Sequence, residues 1–148
     1  MQATTTDLTK IITLKLAMFE AAGVANLLAD NAASIILDDY LKMYAEGTAT
    51  HFIAREGDEI IAIAGAFIKN DLPYRYFKNP VYGFIGDVYT RPDCRRRGLA
   101  TSLTHRVLDW FRGQGITEVR LLASKEAAPI YKELGFRYND EMVLELNS

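Results

Sequence analysis

The residue types best suited to chemistry lie together, in Val88-Tyr89-Thr90-Arg91-Pro92-Asp93-Cys94-Arg95-Arg96-Arg97-Gly98-Leu99-Ala100. A β-prone stretch leads into Pro92, and an apolar stripe at helical spacing begins at Leu99. A strand that turns directly into a helix leaves the first helical N–H groups unbonded, at the positive end of the helix dipole. Such an end is a site for phosphate. Gly98 and Ala100 are small enough for a ligand to approach the main chain, and Arg95, Arg96 and Arg97 add charge-assisted donors. The spacing is neither G-x-x-x-x-G-K-S/T nor G-x-G-x-x-G, so the nucleoside triphosphate and dinucleotide loops do not apply. Taken alone, the arginine triplet reads equally well as a solvated basic turn. Its place between strand and helix favours the phosphate reading.

Other reactive types carry less. Cys94, beside three arginines, could have a lowered thiol pKa, but an incidental loop residue is the simpler reading. His51 reads as the start of a strand and His105 as helix surface, and neither has metal-like partners, so no metal is expected. Asp38 and Asp39 read as a solvated helix face. Tyr131, on an apolar helix face, reads by itself as core.

These residues need a frame, and the hydrophobic pattern supplies one. Residues 7–22 read as a helix, with Thr6 or Asp7 as cap and Leu8, Ile12, Leu16 and Phe19 at helical spacing. After Gly23, a second stripe of Leu27, Leu28, Ala32, Ile35, Ile36, Tyr40 and Met43 ends near Gly47. Residues 51–55 and 59–68, joined across Glu56-Gly57-Asp58, read as a β-hairpin whose second strand is buried on both faces. Residues 70–80 break the pattern with an aromatic loop. Residues 81–90 read as a strand, the Leu99 stripe as a helix ending at Gly113-Gln114-Gly115, and residues 118–123 as a short strand. A last helix marked by Ala127, Ile130, Tyr131 and Leu134 stops at Gly135, and residues 142–146 read as a final strand. This order implies an α/β (α+β) fold: a mixed sheet flanked by about four helices, in a single domain over residues 1–148.

Composition excludes several classes. The 148 residues are 49% hydrophobic and 24% charged, which fits a folded domain and not a disordered or collagen-like chain. Seventeen basic against nineteen acidic residues give a net charge of −2, which argues against nucleic-acid binding. One cysteine allows no intrachain disulfide, and a reducing cytoplasm is the expected compartment. No apolar run nears the roughly 20 residues of a membrane span. The N-terminal stretch lacks the basic head and apolar core of a signal peptide.

Arg95-Arg96-Arg97-Gly98-Leu99-Ala100 resembles the acyl-CoA pyrophosphate loop of the GNAT superfamily of N-acetyltransferases, Gln/Arg-x-x-Gly-x-Gly/Ala. Downstream, Ser124-Lys125-Glu126-Ala127-Ala128-Pro129-Ile130-Tyr131-Lys132-Glu133-Leu134-Gly135-Phe136 is similar to that family's Asn-x-x-Ala-x-x-x-Tyr-x-x-x-Gly-Phe. The two stand in the family's order, with a helix and a strand between, and the elements from His51 onward fit as well. The resemblance implies a sheet with two splayed parallel strands, and acetyl-CoA as cosubstrate. Residues 95–101, through Thr101, would wrap the pyrophosphate. The backbone of Val88, Tyr89 and Thr90 would pair with the pantetheine arm. Ser124, where the family often has Asn, would make a weaker or different contact to the cofactor.

The same resemblance implies acetyl transfer to a primary amine by direct attack, through a tetrahedral intermediate. Tyr131 would then be the general acid for the leaving thiolate. Several family members carry Glu just before the position of Asp87, where this chain has Gly86. Asp87 is the nearest ionisable candidate for a base or for an anchor of a cationic acceptor, and a structural hydrogen-bonding role is as well supported. Tyr74, Tyr76, Phe77 and Tyr82 line an acceptor pocket or simply pack over the sheet. The expected partner is a small-molecule or peptide amine, with a homodimer as a further possibility. A non-catalytic acyl-CoA-binding sensor on the same fold is the rival reading. The family's usual first strand is absent, very short or lost to the choice of start site, and the edge it would cover is open or paired in a dimer.

Overall fold

A computed structural model describes residues 1–23, 30–73 and 80–146. A 3-10 turn at Thr5–Asp7 leads into α1, Leu8–Ala21. The Asp7 carboxylate accepts a hydrogen bond from the Thr4 N–H at 2.9 Å and pairs with Arg55, which fixes that entry to the sheet. Then come α2, Ala32–Glu46, and the strands β1, Ala49–Glu56, β2, Glu59–Asn70, and β3, Val81–Thr90. A 3-10 turn at Pro92–Cys94 precedes α3, Leu99–Gly113, and β4, Val119–Leu121, and α4, Ala128–Glu133, complete the order. α2 stops where Gly47 takes the left-handed conformation, φ +74°, that glycine adopts without a Cβ penalty.

The sheet order is β1-β2-β3-β4, antiparallel except for the parallel pair β3–β4. Side chains alternate across it and make two cores. On one face Ile53 and Ile63 pack against Leu8, Ile11 and Ile12 of α1 and Tyr40 of α2. On the other, Phe52, Ala62, Ala64, Ala66 and Ile85 pack against Leu103, Val107 and Phe111 of α3. β2 offers alanines to α3, and β3 offers Gly83, where a Cβ would come within 2.7 Å of the Phe111 ring. Small residues on the sheet therefore let α3 lie close. Burial of residues 60–66 on both faces accords with the apolar run read in the sequence.

One sequence expectation needs revision. Residues 142–146 form no strand; they are irregular and exposed. The opening strand is reduced to one bridge, Gln2 opposite Phe52, with Ala3 N–H donating to His51 C=O and Ile53 N–H to Met1 C=O, both at 2.8 Å. Ile11 is buried in α1, whereas Leu16 and Phe19 are half-buried, so the helix leans on the sheet mainly by its first half. Leu27, Leu28, Tyr74, Tyr76 and Phe77 lie outside the described residues. Among the described residues no helix is long and apolar enough to cross a membrane.

Candidate active site

β3 pairs with β4 only at Gly83, Phe84 and Ile85, then continues to Thr90 along β2 alone. Among the described residues no strand pairs with the other edge of residues 86–90, and that edge leads through the Pro92–Cys94 turn to the start of α3. This is the splayed cleft expected between two parallel strands. A bulge shapes it. Between the pairs Gly65–Gly86 and Ile63–Tyr89, β3 holds one more residue than β2. The side-chain pattern records the same insertion, since Ile85 and Val88, three apart, both belong to the α3-side core.

Asp87 sits in that bulge at φ +55°, a left-handed conformation uncommon outside glycine. Its carboxylate is buried and accepts from three side chains: the Lys15 ammonium, the Tyr40 hydroxyl at 2.5 Å and His51 Nε2 at 2.9 Å. Tyr44 donates its hydroxyl to His51 Nδ1 at 2.7 Å, so the Nε2–H tautomer satisfies both ring nitrogens. Burial pushes the Asp87 carboxyl up. The hydrogen bond from His51 and its electrostatic attraction, then those of the Lys15 ammonium, outweigh it and hold the group at about 2. Tyr40 is pushed well above the ordinary phenol range, first by burial and then by the Asp87 charge. Gly65 makes room for the cluster: a Cβ there would lie 3.0 Å from His51 Nε2 and 2.9 Å from the Gly86 carbonyl.

The sequence reading found Asp87 but not its partners. Lys15 lies four residues after Ile11 and seven after Leu8, on the buried stripe of α1. His51 alternates with Ile53 on the inner face of β1, fully buried, and is no mere strand start. A charged residue on an apolar stripe and a histidine on a buried strand face were the available signals.

The turn before α3 is open. No side chain caps the helix, its first turn holds no acid, and its first main-chain bond runs from Ser102 N–H to Gly98 C=O at 3.0 Å. The N–H groups of Leu99, Ala100 and Thr101 are left without helical acceptors. Arg96 at φ +66° and Gly98 at φ +71° curl the main chain around this end. Arg95 donates from Nε to the Thr90 carbonyl at 3.1 Å, and Arg97 pairs with Glu56 at 2.8 Å. Arg96 forms no ion pair among the described residues. All three arginines are exposed; Arg95 and Arg97 brace the turn, and Arg96 is left for a ligand.

The remaining candidates fall into place. Tyr131 is the fourth residue of the six-residue α4 and packs edge-on to Phe136, with centroids 5.8 Å apart. Its hydroxyl makes no hydrogen bond among the described residues, and burial raises its pKa. Ser124 accepts from the Ala127 N–H at 3.2 Å, capping the turn into α4. Cys94 is buried, and burial, then Asp93, push its thiol up, so it is a small core residue and not a nucleophile. Tyr82 lies under the Arg120 guanidinium, 3.6 Å from ring centroid to carbon, which is packing over the sheet. Asp38, Asp39 and His105 are exposed. Among the described residues no cluster could hold a metal ion. Tyr89 points to the α1 side, where with Leu14, Ala17 and Ile60 it lines an open cleft of about 420 Å³.

Comparison with known proteins agrees with this geometry. The family model for the acetyltransferase (GNAT) family matches residues 19–136. No match is found among curated protein sequences. A predicted acetyltransferase from Clostridium acetobutylicum, solved with acetyl-CoA, shares 26% identity over 99% of this chain and 94% of its own, with TM-score 0.87. A GCN5-related N-acetyltransferase from Ralstonia eutropha shares 26% over 99% and 96%, with TM-score 0.86. An aminoglycoside 6'-N-acetyltransferase from Acinetobacter haemolyticus has the same fold, with 21% identity over 100% and 97% and TM-score 0.72. With the splayed strands, the open helix start and a family match over most of its length, the chain belongs to the GNAT acetyltransferase family.

Proposed function

We propose that the chain, as one domain, transfers the acetyl group of acetyl-CoA to a primary amine by direct attack. The observation that carries this is the free β3 edge at residues 86–90 running into an uncapped α3. The Leu99, Ala100 and Thr101 N–H groups, the helix dipole and Arg96 fit a pyrophosphate. The outward main-chain groups of Val88 and Thr90, with the Thr90 carbonyl shared with Arg95 Nε, fit an extended pantetheine arm with its two amides, as an added strand would, and Tyr89 between them holds the edge to β2. Ser124, with its hydroxyl engaged in a turn, contributes at most from its exposed side. The acetyl-CoA-bound relative from Clostridium acetobutylicum supports this choice of donor.

Three steps then need protein groups. The acceptor amine must be neutral, the oxyanion of the tetrahedral intermediate needs a donor, and the thiolate needs a proton. The bulged β3 edge supplies N–H donors. Tyr131 supplies the proton: its raised pKa keeps it a phenol at neutral pH, as an acid must be. Asp87 acts as a positioning residue. A carboxylate held at about 2 and bonded to three donors is a weak base, and its cationic partner is already Lys15. Its part is to lock the bulge. The amine loses its proton to water.

The acceptor lies on the side of α1 and α2. Relatives of this fold include aminoglycoside 6'-N-acetyltransferases and a glucosamine-6-phosphate N-acetyltransferase, so amino sugars belong in a first panel with amino acids, polyamines and peptide N-termini. Release of CoA thiol with acetyl-CoA and one such amine is the expected result. Acetyl-CoA that neither binds nor turns over with any of them would overturn the reading.

A further inference from the structure

α1 carries a second stripe beside the one it buries. Lys10, Thr13, Leu14 and Ala17 recur at helical spacing and, with Ile60 of β2 and Tyr89 of β3, line the open cleft of about 420 Å³. That is a volume small molecules fill. Leu14 and Tyr89 back onto the α1-side core, so the floor is apolar and supported from beneath. Tyr89 stands two residues from the bulge at Asp87, about 7 Å along a strand. On the proposed reading the acetyl carbonyl is held at that bulge, and the cleft is continuous with it.

Charge decides what such a cleft takes. Only two acids line it, Asp58 and Glu59, both at the end away from the bulge. Glu59 pairs with Arg91 at 2.6 Å, and Asp58 is exposed at the rim, where its carbonyl accepts from Lys10 at 3.0 Å. At the bulge end the Asp87 carboxylate is already engaged by Lys15, Tyr40 and His51. The Arg95 guanidinium lies over the Tyr89 ring, 5.7 Å from its centroid. A second ammonium entering here meets lysine and arginine before it meets an acid, and a charge moved out of water without a partner is costly. A hydrocarbon body meets Leu14, Ala17, Ile60 and the Tyr89 ring, on which another ring can stack.

We infer that the acceptor in the proposed transfer is a monoamine with an uncharged apolar body, an aryl- or alkylamine, and that Leu14, Ala17 and Tyr89 select it. The inference rests on that reading of the function and narrows its acceptor. The body lies on these side chains, and a two- or three-carbon arm carries the amine to the bulge. A polyamine brings ammonium groups that the cleft does not pair, and an amino sugar brings hydroxyls that its floor does not bond.

The test measures CoA release at saturating acetyl-CoA for 2-phenylethylamine, ethanolamine and spermidine. The kcat/KM for 2-phenylethylamine is expected to exceed each of the others at least about tenfold, the low end of what an apolar pocket discriminates for one methylene. Ala17→Asp places a carboxylate on the floor. It is expected to raise KM for 2-phenylethylamine about tenfold and to narrow or invert the lead over spermidine, with KM for acetyl-CoA unchanged. Thr13→Glu, at an exposed position on the same stripe, is expected to move the ratio the same way and keeps the test decisive should Ala17→Asp fail to fold. A preference for ethanolamine or spermidine, or a KM for acetyl-CoA that rises in step with that of the amine, overturns the inference and leaves the proposed reaction standing. If no amine is acetylated, the proposed reaction falls, and saturation-transfer NMR with 2-phenylethylamine reads the cleft by itself. Ring signals that vanish in the variants support the apolar-amine site, and their absence from the parent protein overturns it.

Discussion

On the proposed reading, Tyr131 and Asp87 take different parts in the chemistry, and their surroundings differ accordingly. Tyr131 sits against an aromatic ring with its hydroxyl free among the described residues, whereas the Asp87 carboxylate is fully engaged. Tyr131→Phe keeps the ring and removes one hydroxyl. Once an acceptor is found, kcat is expected to fall at least about tenfold, toward the 10²–10⁴-fold of general acid catalysis, with acetyl-CoA affinity kept. Full turnover with chemistry rate-limiting would make Tyr131 a packing residue. The acidic limb of kcat/KM against pH is expected to follow the acceptor amine and to move when amines of different pKa are compared. In Asp87→Asn that limb stays where it was, at reduced rate. A limb that disappears in the variant would make Asp87 the base after all. The sequence pointed to both residues but not to their states, because each state is set by neighbours distant in the chain. Lys15, Tyr40 and His51 reach Asp87 from three separate elements, and nothing local to residue 87 announces them.

Elements were the most legible level. The bounds of β3 and α3 match the sequence reading because each is marked locally: Pro92 ends one, and Gly98 and the Leu99 stripe begin the other. The tail at residues 142–146 was misread for a physical reason. Its composition is that of a strand, but a strand needs an edge to pair with, and composition does not say whose edge that is. The α3 start gives the test at this scale. Gly98 is at φ +71° with no heavy atom within 4 Å of where a Cβ would stand, so its constraint is the backbone angle and not crowding. Acetyl-CoA at a hundredfold excess over Kd stabilises by about 2.7 kcal/mol, and for a domain near this size that raises Tm by roughly 5–10 °C. Gly98→Glu combines a strained φ with a negative charge at the dipole's positive end and is expected to abolish most of that shift. A parent protein whose Tm does not respond to millimolar acetyl-CoA would contradict the pyrophosphate assignment. The proposal assigns acceptor specificity to other elements. Exchange of α1 and α2 surface residues such as Thr13 and Ala17, which line the cleft beside Tyr89, is expected to change acceptor KM and leave acetyl-CoA affinity nearly constant.

The Asp87 cluster joins α1, α2, β1 and β3, so it bears on the stability of the whole molecule as well as on the site. The carboxyl is held at about 2 against an ordinary 3.8. A carboxyl depressed on folding stabilises the native state wherever it is ionised in both states. The contribution is complete above about pH 5, declines as pH falls through the unfolded value, and is gone by about pH 1. Its size is about 2–3 kcal/mol. Asp7, lowered by the Thr4 N–H and Arg55 against its own desolvation, acts in the same direction and the same window. Unfolding free energy measured in urea from pH 7 to pH 2 is therefore expected to fall steeply below pH 5. Asp87→Asn removes the titrating group and confronts the Lys15 ammonium with an amide, so it costs about 3–5 kcal/mol at neutral pH, the penalty of breaking a buried pair. It also flattens the acid slope. Tyr40→Phe separates the two effects: it deletes one donor, costs about 1–3 kcal/mol, and keeps the carboxylate and most of the slope. If Asp87→Asn unfolds with the parent's pH dependence, the acid sensitivity belongs to Asp7 and other carboxylates, and the cluster is held by packing and not by charge.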